Sequence, residues 1–378
     1  MAEYYSDYTS RKKKHRHPLL WLLDVGMTVL MVGVALATII TLFVPYVHPE
    51  KLGFFPVLGL LAPGVYILTV ILTLYWIIRW RWVRAGFMLF LAVLGFFHVS
   101  LFYRPEFGRD YGEEVYRNSL RVMSYNLRWF YDDRGQSSVG EVMDMIDQIN
   151  PDVVCLQEFN ARLADRSGGI GQIASKYQAQ FFEYSEEMPD SINITPMCIL
   201  SKYKILRSGV VLSPRNSVWV DLDVEGDTVR VFNNHLLSTS IKAADGEYIT
   251  NQIFKGDTLR EERVRSIFRR LCDNSVLRAN QVDSIARFID QSSGYKIVCG
   301  DFNDAPMSYA YHRMSHGLND VFSECGSGYS HTYRGFYNTL RIDYVLVSPE
   351  FECLSYDVPD STFSDHYPVV VNLRKNKK

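Results

Sequence analysis

Three long apolar runs crowd the start of the chain, from about Leu19 to Val44, from Phe54 to Ile78 and from Ala85 to Tyr103, and nothing comparable follows them. Roughly 20 residues cross a bilayer core as a helix, because hydrocarbon offers no partner to an unpaired backbone group. A secretory signal fits poorly: its apolar core is ~7–15 residues, and here two further runs follow the first. Asp24, near the start of the first run, is placed to reach the headgroup region. The positive charges predict an orientation. Arg11, Lys12, Lys13, Lys14 and Arg16 precede the first run, and Arg79, Arg81 and Arg84 separate the second from the third. The loop 45–53 holds only Lys51. The positive-inside rule then puts the N-terminus and the 79–84 loop in the cytoplasm, with Trp76, Trp80 and Trp82 as an interfacial belt. Three crossings carry everything after Tyr103 outside, as expected of a multi-pass protein of a cell inner membrane. If 85–103 packs elsewhere, two crossings leave that part cytosolic.

The expected organisation is a basic cytoplasmic tail (1–18), three transmembrane helices (19–103), a polar linker (104–118) and one soluble α/β domain (119–378). Such a domain is large enough to bury its own core. Residues 1–116 hold 11 Lys/Arg and 8 Asp/Glu of the 40 and 42 in the chain, which leaves 29 and 34 and a net charge near −5 for the remainder. That is not the basic footprint of a strong non-specific nucleic-acid binder. The six cysteines show no zinc-like spacing. Cys155 and Cys299 sit in apolar runs as small hydrophobes, and Cys325 and Cys353 are left as candidates for a disulfide.

From residue 120 onward, short β-like runs alternate with helical ones. LRVMSYNLRW (120–129) reads as a strand, and SVGEVMDMIDQINPD (138–152) as a helix with apolar residues on one face and Asn-Pro as its stop. DVVCLQE (152–158) reads as a buried strand, 217–236 as a hairpin turning at Glu225-Gly226-Asp227, and 258–291 as largely helical. YKIVCGDFND (295–304), LRIDYVLVS (340–348) and HYPVVVNLR (366–374) complete the series. Polar residues collect at strand ends, where an α/β scaffold presents its site. These are Asn126, Glu158, His235, Asp301, Asn303, Asp343, Asp365 and His366. Hard oxygen donors suit Mg²⁺ or Mn²⁺, and the histidines suit hydrogen bonding or proton transfer to a phosphoryl group. Asp304, Asn234 and Asp320 read as turn residues. The arginines of 258–291 read as a solvated face, with phosphate or lipid contact by Arg263, Arg270 or Arg278 as the alternative.

MSYNLRW, PDVVCLQE, FNNHL, GDFND, RIDYVLVS and SDHYPV, in this order over residues 120–374, resemble the endonuclease/exonuclease/phosphatase superfamily, with pancreatic DNase and neutral sphingomyelinase as its nearest branches in pattern. The resemblance implies a four-layer αββα sandwich of two packed, mainly antiparallel sheets with the site at one end. It implies Glu158 as main metal ligand, with Asn126 and Asp365 beside it, and Mg²⁺ as cofactor. Asp301 and Asn303 would orient the attacking water and hold the phosphate. His366 would contact the scissile phosphate, with Asp343 fixing its ring, and His235 would be a second histidine. Asn233 would buttress its loop, and Arg278 with Gln281 matches an Arg-x-x-Gln pair of the family. The implied activity is metal-assisted, in-line hydrolysis of a phosphodiester in a nucleic acid or a phospholipid head group. The implied partners are that substrate and the lipid bilayer, with no obligate protein partner. A non-catalytic binding protein on this fold would be expected to have lost a ligand, and every motif position here holds a competent side chain.

Overall fold

The computed structural model describes residues 18–105, 111–182, 196–212, 216–239 and 258–376. The basic stretch Arg11–Arg16 lies outside them.

The N-terminal module is three helices: α1 (Pro18–Phe43), α2 (Phe55–Ile78) and α3 (Trp82–Phe96). Two are long and apolar enough to cross a membrane; the third expected span is a helix of 15 residues, about 22 Å at 1.5 Å per residue. It is prolonged by a short 3₁₀ turn over Val99–Leu101. The bundle buries Val34, Leu72, Trp76, Met88 and Leu91 and turns other large apolar side chains outward, Val29, Ile78 and Val83 among them. So broad an exposed apolar surface is uncommon on a soluble domain. Two expectations change here. Trp76 is fully buried, with the Arg84 guanidinium 4.5 Å from its ring, so of these three Trp80 and Trp82 alone are exposed. Asp24 points into the bundle, where it accepts from Arg79 Nε (2.8 Å) and Nη2 (2.9 Å) and from the Tyr75 hydroxyl (2.9 Å).

After β1 (Tyr103–Arg104) and α4 (Glu113–Arg117) the chain enters two six-stranded sheets. The first contains β2 (Leu120–Asn126), β3 (Val153–Gln157), β4 (Gln178–Phe182) and β5 (Met197–Ser201), with β13 (Phe351–Asp357) and β14 (Val369–Lys375), in the order β13-β14-β2-β3-β5-β4. Its outer face carries α5 (Val139–Ile149), α6 (Ala161–Arg166) and α7 (Gly169–Ala174). The second contains β6 (Lys204–Leu212), β7 (Ser217–Val224), β8 (Asp227–His235), β9 (Tyr295–Asp301), β10 (Asn319–Asp320) and β12 (Asp343–Val347), in the order β10-β12-β9-β8-β7-β6. Its outer face carries α8 (Thr258–Gln291) and α9 (Tyr309–Met314), while α10 (Val321–Cys325) follows β10. The small strand β11 (Gly328–Tyr329) pairs with β1.

Alternation along the strands gives each sheet one face for its partner and one for its helices. Val122, Val153, Ile199, Val220, Val231, Ile297, Val345 and Val371 form the layer between the sheets. Met123, Tyr125, Val142, Ile146 and Leu156 form the layer under α5, and Phe232, Val282, Ile285, Val298 and Tyr344 the layer under α8. The architecture is therefore αββα. Both sheets are mixed, because β2 runs parallel to β3 and β8 parallel to β9. The β7–β8 hairpin turns at Glu225 and Gly226, both with positive φ (56° and 87°), as a tight two-residue turn requires. Asn233 ties the sheets together: its Nδ2 donates to the carbonyls of Leu156 (2.9 Å) and Cys198 (3.1 Å), and its Oδ1 accepts from Gln157 Nε2 (2.7 Å). A disulfide joins Cys325 and Cys353.

Candidate active site

The parallel pairs β2/β3 and β8/β9 end at the same end of the sandwich, where the antiparallel β12 and β14 begin. Strand polarity alone thus gathers the ends of six motifs. Asn126 closes β2, Glu158 follows β3, His235 closes β8, Asp301 closes β9, Asp343 opens β12, and Asp365 and His366 precede β14. Two of these residues hold positive φ without being glycine, Glu158 at 53° and Asn303 at 52°, a conformation that costs energy and clusters at functional sites. Gly300, at φ 136°, lets β9 close on β8 just before Asp301: a Cβ there would collide with the Asn234 carbonyl.

Asp301 is the hub. Its Oδ2 accepts from Asn126 Nδ2 (3.0 Å) and Asn303 Nδ2 (3.0 Å), and its Oδ1 from the Asn303 backbone N–H (2.8 Å). Both histidines aim Nε2 at the same Oδ2, His235 from 3.6 Å and His366 from 3.7 Å. His235 Nε2 is also 3.6 Å from Glu158 Oε1. Behind His366, Asp343 Oδ2 lies 2.9 Å from its Nδ1, and the Thr332 hydroxyl accepts from the Asp343 N–H (3.0 Å). Ser364 accepts from the His366 N–H and donates to the Asn126 carbonyl. Asn126, Glu158, His235, Asp301, Asn303, Asp365 and His366 all line one cavity of about 410 Å³, and Asp343 sits one layer deeper.

Burial sets the charges apart. It raises the Asp301 carboxyl above the ordinary range, against the pull of the nearby histidines. It also raises Glu158, whose carboxyl lies deep although the side chain keeps 20% exposure. His235 is lowered by burial. His366 is buried too, but the charges of Asp343 and Asp301 outweigh the desolvation and push it up to about 10. The two rings on either side of Asp301 are thus shifted in opposite directions, His366 up and His235 down, the separation that acid–base work requires.

Among the described residues, Asp301, Asp343 and His366 bring ligand-type atoms within 4.8 Å of one another. This is not the expected set of Asn126, Glu158 and Asp365. The His366 ring, with Nδ1 on Asp343 Oδ2 (2.9 Å) and Nε2 3.7 Å from Asp301 Oδ2, itself draws that cluster together. The donors facing the open cavity, Glu158 and Asp365 with the amides of Asn126 and Asn303, are carboxylate and amide oxygens. Hard oxygen donors with concentrated negative charge fit a hard divalent cation. Arg128 borders this region, its N–H donating to Asn126 Oδ1 (3.0 Å) and its Nε 3.8 Å from Asp365 Oδ2.

Several neighbours take places that the sequence reading left open or assigned otherwise. Arg278 is fully buried rather than on a solvated face. It donates to Asp304 Oδ2 (3.0 Å) and the Leu237 carbonyl (2.6 Å), while Gln281 accepts from the Leu237 N–H (3.0 Å). The Arg-x-x-Gln spacing was the available signal: the pair clamps the loop after His235. The side chains of Arg260 and Arg263 lie outside the described ones. Arg341 pairs with Asp320, not with Asp343, so neither Asp304 nor Asp320 is a mere turn residue. The Tyr333 ring lies 5.1 Å from the His366 ring, tilted by 54° to it, and lines the cavity, whereas Tyr337 is exposed. Pro56 and Leu60 of α2 also line the cavity, which no motif announced.

No curated protein matches the sequence. A domain of unknown function (DUF8431) matches residues 21–102. Among solved structures, the chain is similar to an endonuclease/exonuclease/phosphatase from Beutenbergia cavernae DSM 12333 (20% identity, TM-score 0.46, covering 68% of this chain and 72% of that one). It is similar to the mannosyl-6-phosphatase of Bacteroides thetaiotaomicron VPI-5482 (20% identity, TM-score 0.47, 68% and 100%). It is also similar to D. rerio TDP2 complexed with single strand DNA product (15% identity, TM-score 0.46, 68% and 100%). The Endonuclease/Exonuclease/phosphatase family model matches residues 123–366, from β2 to His366 and so across every motif of the site. The chain belongs to the endonuclease/exonuclease/phosphatase family of metal-dependent phosphoester hydrolases.

Proposed function

We propose that the protein hydrolyses phosphodiesters by in-line attack of water, with Mg²⁺ as its cation and a catalytic domain anchored at the outer face of the membrane by its N-terminal helical module, in which α1 and α2 are long enough to cross. The observation that carries the reading is the convergence of two amides and two imidazoles on the single Oδ2 of Asp301. Its raised carboxyl accepts a proton from water more readily than an ordinary aspartate. Asn126 and Asn303 fix its orientation. Water oxygen bonds to phosphorus, Asp301 takes the water proton, the bond to the leaving oxygen breaks, and protonated His366 supplies that oxygen with a proton. Asp343 holds the His366 ring, and neutral His235 donates a hydrogen bond to a phosphoryl oxygen. Glu158, with Asn126 and Asp365, would hold the cation. When bound, it would supply positive charge to the phosphoryl oxygens and steady the phosphate.

The anchoring rests on the outward apolar surface of α1 to α3 and on where the domain docks. It packs at the 44–55 end of the bundle, remote from Arg79, Arg81 and Arg84. With those arginines cytoplasmic, the domain is extracytoplasmic, where a Cys325–Cys353 disulfide persists. The net negative charge of the catalytic part favours a small or lipid phosphoester over nucleic acid.

The test is calorimetric titration of the full chain with Mg²⁺ and Mn²⁺, alongside turnover of bis-p-nitrophenyl phosphate. Glu158→Gln is expected to lose most cation binding and most turnover together. Undiminished metal-dependent turnover in Glu158→Gln would refute the assignment.

A further inference from the structure

The cavity at the sheet ends is built from two parts of the chain. One wall is polar and comes from the motifs. Apolar lining comes from Pro56 and Leu60, in the first two turns of α2, which packs against α8 with its Leu271; Leu340 and Ile342 of the loop before β12 line the cavity as well.

This apolar wall is fixed in place. Gly59 packs so closely against the Met307 carbonyl that any Cβ would collide with it. The Tyr46 ring lies 4.6 Å from His312, and His48 lies 5.0 Å from Tyr309. On the other side of the module, Arg341 Nη2 donates to the Leu101 carbonyl (2.9 Å), Arg104 Nη2 donates to the Glu324 carbonyl (2.8 Å), and β1 pairs with β11. The bundle is thus bolted to the catalytic domain at two places, and the N-terminal end of α2 forms part of the site.

We infer that this composite cavity binds a phosphoester carrying an apolar chain, a lipid of the adjoining leaflet, whose chain lies along Pro56, Leu60 and Leu271 while its phosphate meets Asn126, Asp301 and His366. The inference rests on the phosphoesterase reading and adds the class of substrate. At about 410 Å³ the cavity falls within the ~300–1,000 Å³ of sites that enclose most of a small molecule, which leaves room beyond the phosphate. An apolar wall beside a charged one is wasted on a wholly polar substrate, since only an apolar group gains by leaving water there. The wall also belongs to a helix with an outward apolar surface, so a lipid head group reaches the site without its chain crossing water.

The experiment uses the full chain in phosphatidylcholine vesicles and p-nitrophenyl phosphodiesters whose second ester group is methyl, butyl or octyl. For the wild type, kcat/KM should rise by about threefold for each methylene the wall covers. In Leu60→Asp the octyl-to-methyl ratio should fall by about tenfold or more. Leu60→Trp, which fills the wall without adding charge, should lower the same ratio and decides the matter if the aspartate variant does not fold. Partitioning of each ester into the vesicle is common to all three proteins, so the difference between them reads the wall. A flat chain-length profile in the wild type, or a ratio unchanged in both variants, overturns the lipid assignment while the phosphoesterase reading stands. Hydrolysis of no ester in the series overturns both.

Discussion

Asp320 and Asp343 lie on adjacent strands of one sheet, both buried, and their surroundings are opposite. Each oxygen of Asp320 is met more than once: Oδ1 by Arg341 Nη1 (3.0 Å) and the Phe322 N–H (3.1 Å), Oδ2 by Arg341 Nη2 (2.8 Å) and the Tyr311 hydroxyl (2.7 Å). Arg341 is stacked on Phe322 and Tyr344, each 4.7 Å away. Asp343 has His366 on one oxygen and no hydrogen-bond partner among the described residues on the other. A saturated carboxylate with an arginine holds structure. One left partly unsaturated beside a second carboxylate and an imidazole serves the site by holding that ring, and its cost must be met elsewhere in the fold. Asp320 is one of the contacts that meets it, since its arginine also grips the Leu101 carbonyl of the membrane connector.

Breaking the reactive side should give the largest effect. Asp301→Ala should lower kcat/KM on bis-p-nitrophenyl phosphate by about 10³–10⁴-fold and leave the melting temperature unchanged or higher. A carboxyl raised by burial penalises the fold above its own pKa, so its removal relieves that penalty at alkaline pH. Breaking the structural side should do the reverse. Arg341→Ala should cost about 3–5 kcal/mol by urea denaturation, because Asp320 is left charged and buried, while kcat per folded molecule changes little. A stable but inactive Arg341→Ala would merge the two clusters into one functional unit. Next in size, Cys325→Ser with Cys353→Ser should cost about 2–4 kcal/mol, read as a lower urea midpoint that reducing agent does not lower further.

The smallest change is a pH shift. His366 is raised above its unfolded value, so its favourable charge is fully present below about pH 6.5 and lost as pH rises through about 10. Asp343→Asn removes the largest of the raising influences. The alkaline limb of kcat/KM should move down by about 1–3 pH units. A profile displaced in height but not in pH would make Asp343 a packing residue only.

How much of this was legible depended on whether a residue's role is local. Asn126, Glu158, His235, Asp301 and His366 sit at strand ends, and strand ends can be read from where an apolar run stops. The β7–β8 turn and the helix 258–291 were readable for the same reason. Strand β6 was not, because it lies at a sheet edge with exposed Leu206 and Val210, and its Gly209 makes room for the Trp219 ring. Pairings such as Arg341 with Asp320 and Arg278 with Asp304 depend on register between elements far apart in the chain, which periodicity does not encode. The apolar surfaces of α1 and α2 were evident from hydropathy, but not that α3 stops at Phe96 or that Trp76 turns inward. The cavity wall at Pro56 and Leu60 needed both modules in place before it could be seen.

The central claim is that Asp301 and His366, 65 positions apart, act as one unit on a phosphoryl group. The most direct measurement is a double-mutant cycle on kcat/KM for bis-p-nitrophenyl phosphate with Asp301→Ala, His366→Ala and the pair. The account predicts that the double variant is little worse than the poorer single one, as for groups sharing one transition state. Losses that multiply would mean the two side chains act independently and would contradict it.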